Sequence, residues 1–174
     1  QRGNNNAYNQ DNEVSWVDWE LSPWRQNLLA TAAFLIRLRA ELPALHQAAF
    51  FRGVPRDGCA DPRPDLAWRT AAGLELRTEQ WNDPSVRTLQ MVRTACDGSA
   101  VLLVINGSLD HVDGTLADGT DAWELRWDSG LEHPGDLHDP IEQRGTTVEA
   151  GTTVRVDPLT VQVYSSGGAT PGPA

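Results

Sequence analysis

The chain has 174 residues, 40% of them apolar, and its 24 acidic against 14 basic side chains set a formal net charge of −10. That size and apolar content suit one compact domain plus a short extra element. The negative balance disfavours nucleic acid and anionic membrane surfaces as partners, and the longest apolar run, residues 101–105, falls far short of the roughly 20 residues that span a bilayer.

The head, residues 1–20, is polar and rich in Asn (Asn4, Asn5, Asn6, Asn9, Asn12). Side-chain amides at this density favour turns. Tyr8, Val14, Trp16, Val17 and Trp19 are interleaved with them, and disordered tracts are poor in such residues. The head therefore reads as a structured loop that docks onto something. The chain opens on Gln1 rather than Met, which fits a piece of a longer protein.

A helix is expected over residues 23–41. Ser22 suits the N-cap and Pro23 the first helical position, where a missing N–H costs nothing. Trp24, Leu28, Leu35 and Leu42 fall on one stripe, flanked by Leu29, Ala32, Ile36 and Arg39. Pro43 ends the helix. In an isolated piece, part of that stripe is expected to remain open for self-association, because an exposed apolar patch is unfavourable.

Beyond His46 the pattern changes. Residues 53–64 are rich in Gly, Pro, Asp and Arg and read as loop. Strand-like stretches follow at 66–70, 74–77, 88–94, 100–106, 112–116, 122–127, 146–149, 152–156 and 160–164. The apolar run at 101–105 marks a central strand, and Asp97-Gly98, Asn106-Gly107, Asp118-Gly119 and Ala150-Gly151 mark turns. Many short strands with Gly-rich turns imply a mainly β chain, an antiparallel β-sandwich behind one long helix. The tail, residues 166–174, is flexible by composition.

Seven Trp stand out: Trp16, Trp19, Trp24, Trp68, Trp81, Trp123 and Trp127. Core packing is the expected role for most of them. Stacking on the apolar face of a pyranose is the alternative, with Trp68, Trp123 and Trp127 as the rings to inspect. Cys59 and Cys96 are the only cysteines. Two do not make a disulfide framework, a Cys59–Cys96 bridge is not expected, and neither lies in a zinc pattern. Cys59 has thiol chemistry but no identifiable base. His133, Asp136, His138 and Asp139 have ligand chemistry but no metal spacing, and Pro134, Gly135 and Pro140 mark a loop around them. Asp11 and Glu13 do not make an acid/base pair, because a two-residue spacing in a loop does not place carboxylates across one bond.

The head, RGNNNAYNQDNEVSWVDW, resembles a motif of bacterial glycogen-debranching, isoamylase-type enzymes in the alpha-amylase superfamily of glycoside hydrolases. The likeness runs from Gly3 to Tyr8 and through Gln10, Asp11, Asn12, Glu13, Ser15, Trp16, Asp18 and Trp19, with Asn9 where many members carry Cys. Further likenesses are LIRLRAELPAL, where Leu42-Pro43 replaces a common His-Pro, then FFRG, the stretch 65–91, VLLVING and WELRWDSG, so that it covers about residues 2–165.

The resemblance implies that residues 1–48 are the last loop and helix of a (β/α)8 barrel and residues 49–165 a C-terminal sandwich. It implies α-glucan as the partner of the parent enzyme, no cofactor, no metal and a cytoplasmic location. It also implies that the carboxylate nucleophile and the general acid, about 5 Å apart in a retaining glycosidase, lie on barrel strands upstream, so that this chain alone is inactive and structural. Asn4, Asn5, Asn6, Tyr8, Gln10, Asp11 and Asn12 would then lie at the C-terminal face of the barrel, where substrates bind, with amides suited to sugar hydroxyls. A free-standing α-glucan-binding sandwich module is the other reading; exposed coplanar Trp rings on one sheet face would mark it.

Overall fold

A computed structural model describes residues 8–59, 61–130 and 145–167. Helix α1 spans Pro23–Glu41. The strands are β1 (Leu66–Thr70), β2 (Thr88–Thr94), β3 (Ala100–Asn106), β4 (Val112–Thr115), β5 (Ala122–Asp128), β6 (Thr147–Glu149), β7 (Thr153–Val156) and β8 (Thr160–Ser166). Six form an antiparallel sheet in the order β1-β2-β3-β8-β5-β6, and β4 pairs with β7 in a second sheet. The architecture is the antiparallel, sandwich-like one that the alternation implied.

Register explains why the large sheet is sided. The rung Ala67–Val92–Leu102–Tyr164–Leu125 crosses five strands. It points into the space between the sheets, where it meets Leu116, Ala117, Val156 and the fully buried Trp123. The neighbouring rung, Trp68–Met91–Leu103–Val163–Trp127, faces the other way. Because both rungs are apolar, the sheet needs cover on both faces.

Gln90 joins the two layers. Its amide is fully buried and donates to the carbonyls of Thr70, Ala71 and Thr115, while its carbonyl accepts from the Ala117 N–H. Gly73 makes this approach possible. Its φ is +75°, and a Cβ there would sit 2.9 Å from the Thr115 carbonyl oxygen.

Helix α1 covers part of the outer face. Phe34, Leu38 and Leu42 pack with Ala44, Ala95, Val101 and Val163, flanked by Leu103, Val161 and Trp127. A bulge in β5 between Leu125 and Trp127 lets Arg126 reach Glu41 at 2.9 Å and Ser165 at 3.2 Å, tying the helix end to the sheet.

Four expectations are corrected. The docked face of α1 is Ala30–Phe34–Leu38–Leu42, at spacing four, and Trp24, Leu28 and Ile36 of the expected stripe and its flank are exposed. Ser22 has the extended backbone of an N-cap, but its hydroxyl makes no cap bond. Residues 74–77 form no strand. They return along β1 through Thr70 N–H to Leu74 and Leu76 N–H to Trp68, then enter a 3-10 turn, Thr78–Asn82. The fourth is Cys59–Cys96, which is a disulfide with a Cα–Cα distance of 5.0 Å. Two cysteines suffice because chain topology, which a cysteine count does not register, brings loop 46–65 against the β2–β3 turn.

Candidate functional site

Of the residues expected to meet sugar, Asn4, Asn5 and Asn6 lie outside the described residues. Tyr8, Gln10, Asp11 and Asn12 are all exposed or half-exposed. Their polar atoms brace the loop. Asn12 donates from its amide to the Gln10 side-chain carbonyl at 3.0 Å and accepts from the Val14 N–H at 3.0 Å. Asp11 accepts from the Trp16 indole N–H at 2.7 Å. The N–H groups of Ser15 and Trp16 both reach the Asn12 carbonyl, closing a helical turn. Asn9, where the family motif has Cys, adopts φ 62°, a left-handed conformation that Asn tolerates well.

The bracing sets the direction of the aromatic rings. Arg25 binds the Asp18 carboxylate and the Glu20 carbonyl, which fixes the loop against the start of α1. Around this anchor Trp16 is 61% exposed, Trp19 85% and Trp24 63%, with Val17, Leu21, Leu28 and Leu29 also in solvent. These exposed apolar side chains all lie on one loop and the first two turns of α1. Core packing, the expected role for most Trp, holds for Trp123, whose indole N–H donates to the Ala117 carbonyl at 2.8 Å, and in part for Trp127 and Trp68. Trp81 is 50% exposed, so four of the seven are not core residues.

The outer sheet face is the second apolar surface. On the side away from α1, Leu89, Met91, Ile105 and Trp68 are only partly buried. Trp68 meets Trp81 edge to face, with ring centroids 5.3 Å apart and planes at 82°. Trp68, Trp123 and Trp127 therefore supply no pair of exposed coplanar rings.

Charged groups serve structure. Asp65 is buried and accepts from the N–H groups of Arg52 and Gly53, which folds loop 46–65 back beside the disulfide. The Arg93 guanidinium stacks on Phe51 at 3.9 Å; burial lowers its pKa and Arg39 lowers it further. The Arg63 side chain holds the Asp61 carboxyl below its ordinary value. Burial pushes the Tyr164 hydroxyl up to about 12, with Asp128 adding to it, while the hydroxyl donates to Gln162 at 2.9 Å. Among the described residues no group of three or more His, Cys, Asp or Glu is placed to hold a metal ion. His133, Asp136, His138 and Asp139 lie outside the described residues. No helix is long and apolar enough to cross a membrane among those described.

Two features at these surfaces were not read from sequence: the Trp68–Trp81 contact and the Arg126 bulge. A Trp thirteen residues after another carries no local signal, and only the turn at Gly73 brings them together.

Comparison with known proteins bears on the origin of these surfaces. The chain is 40% identical over 119 residues to a glycogen debranching enzyme of Cronobacter sakazakii, covering 68% of this chain and 16% of that protein. It is 33% identical over 168 residues to a glycogen operon protein GlgX homolog of Mycobacterium bovis, covering 90% of this chain and 22% of that protein. By sequence, the chain is related to the bacterial glycogen debranching enzymes. A third debranching enzyme, of Serratia proteamaculans, is 34% identical over 125 residues, covering 72% of this chain and 16% of that protein. No family model matches the chain. The chain thus spans between 16% and 22% of the length of these debranching-enzyme relatives.

Proposed function

We propose that the chain is the C-terminal part of a glycogen debranching enzyme, whose whole form hydrolyses α-1,6-glucosidic branch links in glycogen or limit dextrin. In this reading residues 1–48 complete a (β/α)8 barrel and residues 49–165 form the C-terminal sandwich. The piece itself is structural and inactive, because cleavage needs a nucleophile and a general acid across one bond and both belong to the rest of the enzyme. A cytoplasmic location and the absence of nucleic-acid or membrane partners belong to the same reading.

The observation that carries it is the pair of uncovered apolar surfaces. Trp16, Trp19, Trp24 and Leu28 are exposed at one end, and Trp68, Leu89, Met91 and Ile105 are half-covered on the outer sheet face. A domain that functioned alone would bury them; a domain seated on a barrel would use them. Asn4, Asn5, Asn6, Tyr8, Gln10, Asp11 and Asn12 approach sugar only when that barrel is present. Gln10, Asp11 and Asn12 hold the loop in shape for it.

The test is assembly. The purified chain is expected to self-associate on sizing, to bind a hydrophobic dye, and to release no reducing ends from glycogen. Co-expressed with the preceding part of a debranching enzyme, it should enter a defined complex that does release them. A dye-silent monomer that ignores that partner, or hydrolysis by this chain alone, refutes the proposal.

A further inference from the structure

Beyond the edge strand of the large sheet, past Trp68, lie a hollow and a half-exposed ring, Trp81, that the docking surfaces do not include. β1 is the edge strand, and β2 separates it from β3, the nearest strand that α1 covers. Beside β1, residues 74–80 curl back and form an open hollow lined by Thr70, Leu74, Glu75, Arg77, Thr78 and Gln80, among others. Trp81 follows on the same 3-10 turn as Thr78. Side chains three apart eclipse in a 3-10 helix, so Trp81 follows the direction of Thr78, which lines the hollow. Half of its surface is in solvent, about what one open ring face provides. Its other side is held by the Trp68 edge at 82°, which fixes the plane of the indole.

The hollow is polar where the ring is apolar. Gln80 uses its carbonyl oxygen to accept the Arg77 N–H at 2.9 Å, which leaves its amide N–H groups for a ligand. Glu75, Arg77 and Thr78 add carboxylate, guanidinium and hydroxyl groups to the wall of the hollow. A glucose unit matches both halves, with an apolar C–H face for the indole and hydroxyls for amide, guanidinium and carboxylate. It is uncharged, so the acidity of the chain does not oppose it.

We infer that this edge is a secondary α-glucan contact, in which the Trp81 indole stacks on one glucose ring and the hollow takes the hydroxyls of the next. The choice of α-glucan rests on the debranching-enzyme reading; the aromatic platform and the hollow do not. One platform binds a short oligosaccharide weakly, with a Kd on the order of millimolar. On a branched polymer, repeated rebinding raises the effective affinity and holds the enzyme near its substrate.

The experiment is native electrophoresis of the 174-residue chain through gels cast with glycogen, against gels without polymer. Wild type should be retarded. Trp81→Ala should weaken the apparent affinity about tenfold, the loss of one stacking contact, and Gln80→Ala should weaken it less. Trp19→Ala should be retarded by glycogen, relative to its own mobility in polymer-free gels, as much as wild type. The urea midpoint of each variant shows that it is folded, and Gln80→Ala keeps the test open if Trp81→Ala does not fold. Wild type that runs unretarded, or retardation lost in Trp19→Ala and kept in Trp81→Ala, overturns the inference. Either result leaves the debranching-enzyme reading standing, because that reading is decided by assembly with the preceding part.

Discussion

Reduction of the Cys59–Cys96 bond gives the sharpest test of how loop 46–65 is held. The bond joins residues 37 apart. In a chain-entropy account, closing a loop of that length removes about 13 cal/mol/K from the denatured chain, or about 4 kcal/mol at 25 °C. The folded loop has other anchors: the Asp65 carboxylate on the Arg52 and Gly53 N–H groups, and the Arg63 guanidinium on the Gly98 and Gly119 carbonyls. The reduced protein should therefore keep its fold and lose stability through its denatured state. With a urea slope of about 2 kcal/mol/M, the midpoint should fall by about 2 M on adding reductant. The Cys96→Ser variant should start at the lower midpoint and ignore reductant. Thiol titration of the denatured, oxidised protein fixes the starting state at no free thiol. If that protein unfolds at the same urea concentration with and without reductant, the entropic reasoning is wrong.

Other consequences follow from single side chains. Gln90→Leu takes the acceptor from the Ala117 N–H and a donor from the Thr115 carbonyl, while the Thr70 and Ala71 carbonyls keep the Gly73 and Thr115 N–H groups, and should cost about 1–3 kcal/mol in urea unfolding. Phe34→Ala, at a site 2% exposed, should cost about 3–5 kcal/mol and release α1, read as raised amide exchange in the helix. Gly73→Ala should destabilise the fold through both its φ and the 2.9 Å approach to Thr115, while Gly58→Ala, with open space around it, should suffer only from its φ. Tyr164 ionises near 12 in the folded state against about 10 when unfolded, so the unfolded chain loses that proton first. Its contribution is intact below pH 10 and lost as pH rises through 12, at most about 3 kcal/mol, and Tyr164→Phe should flatten the alkaline arm of the stability profile.

The parts of the fold legible in sequence are those set by local pattern. β1, β2, β3 and α1 begin and end where alternation, turn pairs and the two prolines put them. What sequence could not decide is which face meets what. α1 is apolar nearly all round, so a seven-residue spacing through Leu28, Leu35 and Leu42 matches the pattern as well as the four-residue spacing that docks. The choice is made by Val101 and Val163 on strands far along the chain. Residues 74–77 have the composition of a strand, but Gly73 turns them back over one strand edge, leaving a single bridge between Arg69 and Glu75. The disulfide was missed for a similar reason: a cysteine count says nothing of two loops that a sheet brings together.

The same limit applies to the Trp residues, of which four of seven are not core residues. Large aromatics dominate cores because burying them is worth so much, so an exposed Trp is an incomplete burial until shown otherwise. Trp16 and Trp24 are held in place by charged groups, Asp11 on the Trp16 indole and Arg25 over the Trp24 ring at 5.5 Å. Groups that pin an aromatic ring outward reduce the entropy lost when a partner covers it. Trp81, pinned by Trp68, stands apart from them beside the β1 edge of the sheet, away from the helix-covered strands. Two pinned aromatic surfaces on one small domain point to two kinds of contact. A protein partner can cover a broad, irregular cluster of rings, whereas one flat ring near a polar hollow suits the apolar face and the hydroxyls of a sugar. The two are separable by mutation: Trp19→Ala should impair assembly and spare glucan retention, and Trp81→Ala should do the reverse.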